Sequence, residues 1–315
     1  MRGFILAAGF GTRLRPITDH LPKALVPLAG KPLLAHAVDY LHLHDIKTIA
    51  ANTHYRAEAI EEFRTSTGNQ FMVFHEEPEI RGTGGALDFA RPFLGADDTF
   101  FIINVDIIAR FDLATHIRGF LASDDCCRLL AFENTGGTGT VRYDPETFAY
   151  RGTLADTATE DGAFTADFIG MTLYRREFLP LVGPDDFSIL PVWKRAGEMG
   201  MRVSVDIIRE GYWRDIGTPK SLAQTHFDII DGILDLEPPP SCTIDRERKV
   251  CYPRDWKTVP AGIGRYSWIE ALPCALAVPI ERTVIFRNAA ADTLAGTAPL
   301  QSTLCTPWGA MKFDG

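Results

Sequence analysis

Two patterns of apolar and polar residues, one typical of strands and one typical of helices, alternate along the first 110 residues. Apolar runs typical of buried strands cover residues 3–8, 47–52, 70–74 and 99–104, and helical spacing of apolar residues covers 33–44, 55–63 and 85–91. Strands and helices that alternate at this pitch predict βαβ units and a mostly parallel sheet. Because ligands bind outside the carboxyl ends of such strands, we expect the chemistry just after residues 8, 52, 75 and 104.

The pattern changes beyond residue 127. Residues 128–174 contain shorter apolar runs separated by Gly and Thr, which is typical of antiparallel strands, and helical spacing returns over 187–198 and 219–234. The proline-rich string Glu237-Pro238-Pro239-Pro240-Ser241 then breaks the hydrophobic periodicity of the chain. No helical spacing of apolar residues follows it. We therefore predict a main domain over 1–236, a Pro-rich linker over 237–260 and a small β-rich module over 261–315.

Composition narrows the class of protein. The chain has 315 residues, of which 46% are hydrophobic and 23% charged, and this balance excludes a disordered protein. A net charge of −9 argues against a nucleic-acid partner, since polyanions need basic surfaces. No apolar run approaches the length of a membrane span, and no signal peptide opens the chain, so we expect no membrane contact. Six cysteines without a Cys-x-x-Cys pair argue against a zinc ribbon and a thioredoxin motif, and because no signal peptide is recognised we expect reduced thiols in the cytoplasm.

A glycine-rich and basic segment follows the first strand. Gly9 and Gly11 would let backbone N–H groups approach a phosphate closely. The segment is neither a Walker A loop nor a dinucleotide fingerprint, because the required Lys and third Gly are absent. Residues 12–31 contain four basic side chains and one acid, Asp19. Charge alone is equally consistent with an ordinary solvated loop.

The complete string resembles a known signature. Leu6-Ala7-Ala8-Gly9-x-Gly11-Thr12-Arg13-Leu14-x-Pro16, followed by Pro22-Lys23-Ala24-Leu25-Val26-Pro27, is similar to the signature of sugar-1-phosphate nucleotidyltransferases. Further matches follow in family order, namely Gly82-Thr83-Gly84-Gly85-Ala86-Leu87, Asn104-Val105-Asp106 and Trp213-Arg214-Asp215-Ile216-Gly217-Thr218-Pro219. The resemblance covers roughly residues 1–235. It implies a Rossmann-like three-layer α/β/α sandwich with a mixed, mainly parallel sheet.

The resemblance also implies a reaction and its residues. A sugar 1-phosphate would attack the α-phosphorus of an NTP and release pyrophosphate, which requires charge neutralisation and in-line positioning. Arg13 would hold the triphosphate, Lys23 would bridge the reacting phosphates, and Asp106 and Asp215 would hold Mg²⁺, with Asp106 also near the sugar phosphate. Nucleotide-binding positions would be Leu6, Ala7, Ala8, Gly9, Gly11, Thr12, Arg13, Glu76, Gly82, Thr83 and Gly84. Gly170 would contact the sugar through its backbone.

Each of these residues also has a plain structural interpretation. Asp106 follows an apolar strand and could cap a helix, as could Asn52. Lys23 could be a surface lysine, and the glycines at 82–85 could form a flexible turn.

The sequence departs from the family pattern at two places. Position 105 is Val where the family usually has a small residue. Acids at 156, 160 and 161 occupy the stretch in which many relatives carry Glu-Lys-Pro.

The tail resembles degenerate hexapeptide repeats of a left-handed β-helix, which some members of the family carry. About two imperfect coils are too few for a free-standing solenoid. We therefore expect the tail to pack on the main domain or on another subunit, and a homo-oligomer formed through this module stays open.

Three function classes stay open. The first is a Mg²⁺-dependent nucleotidyltransferase, acting on a hexose 1-phosphate such as mannose 1-phosphate with GTP, or on an N-acetylmuramate-type sugar with UTP. The second is a non-catalytic nucleotide-sugar-binding regulatory subunit, and the third is a cytidylyltransferase that acts on an alcohol phosphate such as phosphocholine. The presence of Arg13, Lys23, Asp106 and Asp215 favours an enzyme, because a regulatory subunit would be expected to lose at least one of them.

Overall fold

A computed structural model describes residues 1–68, 71–134, 139–154, 162–272, 279–294 and 299–313. The acids at 156, 160 and 161 and the cysteine at 274 lie outside the described residues. The strands are β1 (Arg2–Leu6), β2 (Pro27–Leu28), β3 (Lys31–Pro32), β4 (Thr48–Thr53), β5 (Met72–His75), β6 (Thr99–Asn104), β7 (Ile107–Arg110), β8 (Cys127–Glu133), β9 (Val141–Tyr143), β10 (Tyr150–Thr153), β11 (Phe164–Arg175), β12 (Val203–Ile208), β13 (Tyr212–Asp215), β14 (Cys242–Asp245), β15 (Val250–Pro253), β16 (Ser267–Ile269), β17 (Ile280–Ile285), β18 (Leu300–Thr306) and β19 (Gly309–Lys312).

The α-helices are α1 (Ile17–His20), α2 (Leu33–Leu43), α3 (Ala57–Thr67), α4 (Gly82–Phe89), α5 (Arg91–Leu94), α6 (Leu113–Leu121), α7 (Leu190–Glu198), α8 (Pro219–Asp231) and α9 (Ala291–Leu294), and 3-10 turns cover Thr12–Leu14, Lys23–Leu25 and Arg176–Leu181. The chain divides into two compact units. The first unit comprises residues 1–9 and 37–213, and the second unit comprises residues 10–36 and 214–315. This division differs from the predicted domain bounds, because the segment that follows β1 belongs with the C-terminal third of the chain.

The first unit is built on a nine-stranded mixed sheet. Strands β6, β1, β4 and β5 are neighbours in that order and run parallel. Leu6 pairs with Asn52 on one side and with Asn104 on the other, so the carboxyl ends of β1, β4 and β6 lie side by side. The predicted α/β fold with a mixed, mainly parallel sheet is confirmed.

Strand β11 joins the parallel strands to an antiparallel part of the same sheet. It pairs antiparallel with β6, β8 and β9, as the Gly- and Thr-rich pattern of residues 128–174 predicts. The register against β8 shifts between Phe168 and Met171, and Gly170 within this bulge has a φ of 70°. The bulge bends the strand beside the carboxyl end of β6.

The second unit contains a six-stranded sheet of β14 to β19 in chain order. Strands β15, β16, β17 and β18 are parallel neighbours, so that Cys251, Trp268, Val284 and Leu304 line up across the sheet. Short parallel strands stacked in this way are typical of β-helix rungs, and the left hand of the helix stays a prediction. The sequence predicts a linker over 237–260, whereas the structure places β14 and β15 of that segment within the sheet.

His226 of α8 anchors this sheet to the turn between β2 and β3. The imidazole is fully buried beside the Trp268 ring, and its centroid lies 4.7 Å from that ring. Its Nε2 accepts a 3.2 Å hydrogen bond from the Ala29 N–H, and its Nδ1 donates to the Leu222 carbonyl at 2.9 Å. Burial lowers the pKa of His226 to about 4, so the ring is neutral near pH 7.

Pro239 and Glu270 lie beside the same turn, and both approach Gly30. A Cβ placed on Gly30, whose φ is 74°, would lie 2.8 Å from Pro239 Cγ. The buried Glu270 carboxylate accepts hydrogen bonds from Trp268 Nε1 and from the Arg287 N–H, both at 3.2 Å. The tail therefore packs on the segment 10–36 of the same unit.

Ending the chain after Leu236 is expected to give an insoluble product. The cut removes Trp268 and Tyr266 and exposes the side of α8 that carries His226 and Phe227. Each large apolar side chain that loses its burial costs about 1.5–3 kcal/mol, against a total stability of about 5–15 kcal/mol. Soluble yield and thermal melting would measure the effect. A chain that ends after Phe313 keeps all six strands and serves as the control, and a soluble, cooperatively melting 1–236 fragment would contradict the expectation.

Within the described ranges, no helix is both long and apolar enough to span a bilayer. The described cysteines are all buried free thiols.

Candidate active site

Two buried side chains connect the end of β1 to the start of α4. Asn52, at the end of β4, accepts a 2.7 Å hydrogen bond from the Ala7 N–H and donates through Nδ2 to Glu76 Oε1, also at 2.7 Å. The second oxygen of Glu76 accepts from the Arg81 N–H at 2.8 Å. Asn52 is therefore not the helix cap that its position suggests. Together with Glu76 it sets the spacing between the two loops proposed to bind the nucleotide.

Glu76 is fully buried, and the protein itself engages both of its carboxylate oxygens. Its contact with a base stays a prediction, and the structure gives it a bracing role. Asn52 is the residue whose importance the sequence does not reveal. The signal in the sequence is its place at the carboxyl end of a predicted strand. The structure pairs that strand with β1.

Asp106 lies in the two-residue turn between β6 and β7, so the helix-cap interpretation is wrong. The preceding N–H, that of Val105, donates to the Leu6 carbonyl at 3.1 Å. This bond holds the turn against the end of β1. The Asp106 side chain is largely buried, with the residue 8% exposed, and the Val105 side chain is buried in the core.

The glycines that open α4 are required by the protein's own packing. The Gly84 N–H donates to the Phe187 carbonyl at 3.2 Å, and Thr83 Oγ1 accepts from the Ile189 N–H at 3.0 Å. A Cβ on Gly84 would lie 2.1 Å from the Asp186 carbonyl oxygen, which is a severe clash. The first turn of α4 is therefore held in place by its packing against residues 186–189.

The second unit holds the basic segment. Gly11 has a φ of 64°, and a Cβ there would lie 2.9 Å from both Lys23 Cβ and Thr18 Cγ2. Thr18 Oγ1 donates to the Gly11 carbonyl at 2.8 Å. Glycine is needed because the turn passes directly against Lys23. The structure thus brings together two residues that stand 12 positions apart in the sequence.

Arg13 and Asp215 also approach each other in the second unit. Arg13 Nη2 lies 3.6 Å from Asp215 Oδ2, with the two side chains 62% and 42% exposed. An exposed pair at this distance contributes only about 0–1 kcal/mol, so both groups can exchange partners at little cost. A Cβ on Gly217 would lie 2.5 Å from Arg13 Nη2, and this explains the glycine after Ile216.

The remainder of that motif fixes Asp215 in place. Thr218 caps α8 by accepting a hydrogen bond from the Ser221 N–H, and Pro219 occupies the first turn. Arg214 pairs with the buried Asp228 carboxylate at 2.7 Å. Asp215 therefore lies between the end of a strand and a capped helix, next to an arginine that is itself ion-paired.

The predicted site residues fall into two groups. The first unit contains Leu6, Ala7, Ala8, Gly9, Glu76, Gly82, Thr83, Gly84, Asp106 and Gly170, and the second unit contains Gly11, Thr12, Arg13, Lys23 and Asp215. Among the described residues, no three His, Cys, Asp or Glu side chains are grouped to hold a metal ion.

Comparison with known proteins identifies a family for this chain. The nucleotidyl transferase family model matches residues 2–144. N-acetylmuramate alpha-1-phosphate uridylyltransferase of Caulobacter vibrioides is 30% identical over 235 residues, which cover 69% of this chain and 92% of that protein. Mannose-1-phosphate guanyltransferase of Gibberella zeae is 29% identical over 233 residues, which cover 70% of this chain but only 62% of that protein.

A solved structure shares the fold. UDP-glucose pyrophosphorylase from Acinetobacter baumanii matches with a TM-score of 0.62 at 15% identity, over 75% of this chain and 95% of that one. The fold, the motif residues and the uridylyltransferase relative, of which nearly the whole length is covered, lead to one assignment. The chain belongs to the sugar-1-phosphate nucleotidyltransferase family.

Proposed function

We propose that this protein transfers a nucleotidyl group from an NTP to a sugar 1-phosphate. A phosphate oxygen of the sugar forms a bond to the α-phosphorus, the bond from that phosphorus to the β-phosphate oxygen breaks, and pyrophosphate leaves. The observation that carries the proposal is the contact between Gly11 and Lys23 in the same unit as the Arg13–Asp215 pair. A glycine turn that packs against the stem of a lysine is suited to reacting phosphates, because backbone N–H groups and a positive charge then belong to the same segment.

Lys23 and Arg13 neutralise different phosphates. The compact ammonium of Lys23 reaches the attacking and the α-phosphates, while the planar guanidinium of Arg13 binds the β- and γ-phosphates through two donors. Asp215 is a neighbour that Arg13 can leave at little cost when the nucleotide binds. Phosphoryl-type transfer requires no protein nucleophile, so positioning and charge suffice.

Asp106 and Asp215 would hold Mg²⁺. Two carboxylates completed by substrate phosphates suit Mg²⁺, which rarely takes an all-protein cage. When bound, the ion neutralises charge on the phosphates. The Arg13–Asp215 pair is loose enough for Asp215 to change partners.

The nucleoside part of the NTP is assigned to the first unit. Backbone groups of 6–9 line it on one side and those of 82–84 on the other, at the spacing that Asn52 and Glu76 set. The sugar lies by Gly170. The substrates are a hexose 1-phosphate such as mannose 1-phosphate with GTP, or an N-acetylmuramate-type sugar with UTP. Buried free thiols fit a reducing, cytoplasmic setting.

A pyrophosphate-release screen tests the proposal. Four NTPs are combined with a panel of sugar 1-phosphates and with phosphocholine, with and without Mg²⁺. Release that needs both Mg²⁺ and a sugar 1-phosphate is expected. Release with CTP and phosphocholine alone would favour the cytidylyltransferase class, and nucleotide-sugar binding without any release would favour a regulatory subunit.

A further inference from the structure

A tryptophan lies at the tip of the hairpin that β18 and β19 form in the second unit. Thr306 pairs with Gly309, so Pro307 and Trp308 are the two residues of the turn. The Trp308 N–H donates to Thr306 Oγ1 at 3.1 Å, and Thr306 Oγ1 donates to the Gly309 carbonyl at 2.9 Å. Leu304 of β18 is fully buried and anchors the hairpin in the core. The turn therefore presents the indole ring from a fixed backbone.

The indole ring stacks on a residue of the basic segment. The ring centroids of Trp308 and His20 lie 5.0 Å apart, and the two ring planes are 6° from parallel. Two-residue hairpin turns favour Gly, Asn and Asp, so the backbone of this turn gives no reason for a tryptophan. The partner ring supplies the reason, since stacked rings attract each other beyond the area that they bury.

The helix that carries His20 needs such a contact. Helix α1 has four residues, and a helix of one turn is not stable by itself. The ion pair between Arg15 and Asp19 has side chains that are 63% and 48% exposed, and a pair of this kind contributes little. The position of α1 therefore depends on tertiary contacts. Its buried Thr18 makes one of them, and its exposed His20 makes another with Trp308.

The same helix is connected to the glycine turn and to Lys23. Thr18 Oγ1 donates to the Gly11 carbonyl at 2.8 Å, and Gly11 packs against the stem of Lys23. His20 precedes Lys23 by three positions. A displacement of α1 would therefore reach both the turn and the lysine. A shift of about 1 Å in a group that acts on reacting phosphates can cost about 10²-fold in rate.

We propose that Trp308 is a positioning residue, whose stack on His20 fixes α1 and thereby the glycine turn beside Lys23. This inference rests on the proposed nucleotidyl transfer and gives the tail a part in it. Loss of the ring should lower kcat about tenfold. The KM for the NTP should stay within about threefold, because the nucleoside part is assigned to the first unit.

The test is steady-state pyrophosphate release by the full chain, with its best substrate pair and well below the melting temperature. Trp308→Ala should lower kcat about tenfold, whereas Trp308→Phe keeps a ring that can stack and should stay within about threefold of the unmodified protein. His20→Ala removes the same contact from the exposed partner and should match Trp308→Ala. It tests the proposal even where Trp308→Ala fails to fold.

Trp256→Ala is the matched control. Trp256 stacks on Tyr252 within the tail, with ring centroids 6.1 Å apart. Its loss should lower the melting temperature and leave kcat within about threefold. A stack that serves stability alone would give this result at Trp308 as well.

A double variant shows whether Trp308 acts through Lys23. In Lys23→Met combined with Trp308→Ala, the ring has no ammonium group left to position. The value of kcat should therefore lie within about twofold of that of Lys23→Met alone, although Trp308→Ala costs about tenfold in the unmodified chain.

The outcomes separate the two proposals. A folded Trp308→Ala or His20→Ala variant with kcat within about threefold of the unmodified protein would overturn the positioning role and leave nucleotidyl transfer intact. A loss in Trp308→Phe as large as that in Trp308→Ala would also overturn it, as would a further tenfold loss in the double variant. The absence of pyrophosphate release by the unmodified protein with every sugar 1-phosphate would reject the proposed function and the positioning role with it.

Discussion

Replacing Asp106 by asparagine is expected to lower the turnover number by about 10³-fold or more, with the fold unchanged. The substitution keeps the shape of the side chain in the turn between β6 and β7 and removes only its negative charge. Loss of one preorganised electrostatic contact costs about 10²–10³-fold, and loss of a ligand to the ion that neutralises the phosphates lies at or beyond the upper end. The measurement is pyrophosphate release across a Mg²⁺ titration, together with thermal melting.

Asp112→Asn is the matched control, because Asp112 caps α6 by accepting from the Thr115 N–H at 3.1 Å and asparagine caps equally well. Its turnover should equal that of the unmodified protein. Turnover of Asp106→Asn within about threefold of the unmodified protein at saturating Mg²⁺ would remove Asp106 from the site.

Replacing Lys23 by methionine is expected to lower kcat/KM by about 10²–10³-fold. Methionine keeps the first carbons of the side chain, which pack closely against Gly11: a Cβ built on Gly11 would lie 2.9 Å from Lys23 Cβ. The turn should therefore stay intact. Only the ammonium charge is lost, and charge develops on the phosphates in the transition state. Steady-state pyrophosphate release with the best substrate pair gives the ratio.

Two further variants define what Lys23 does. Lys23→Arg keeps the charge but presents it as a planar fork, and should recover only part of the activity. Lys220→Met removes a charge from an exposed position of α8 in the same unit and should be silent. If Lys23→Met melts normally and turns over within about threefold of the unmodified protein, Lys23 is a surface lysine and the reacting phosphates are neutralised elsewhere.

Local periodicity predicts the first unit well. The strand over 99–104 has the bounds of β6, and the helix over 33–44 matches α2 to within one residue. The reason is burial, because each segment faces a continuous apolar core and its side-chain pattern must follow its own period. Helix α4 begins three residues before the predicted start at residue 85, since the glycines that weaken the helical pattern are required by the contact with Asp186 and Phe187.

Contacts between residues that are far apart in the chain could not be predicted from the sequence. Asn52 resembles a helix cap, and only the pairing of β4 with β1 and with β5 reveals that its amide bridges Ala7 and Glu76. Strands β14 and β15 have four residues each beside three prolines, which is too short for a period-2 pattern to emerge. Their place in the sheet depends on partners such as Trp268, further along the chain.

The bond between Ala29 and His226 has a consequence for the order of folding. The two residues are 197 positions apart, so a ribosome that adds about 5–20 residues per second supplies the imidazole roughly 10–40 s after the turn it holds. Closing so long a loop slows folding and leaves the basic segment without its tertiary support in the meantime. We expect the sheet of the first unit to form during synthesis. The segment with Lys23 is therefore among the first to be made and among the last to fold.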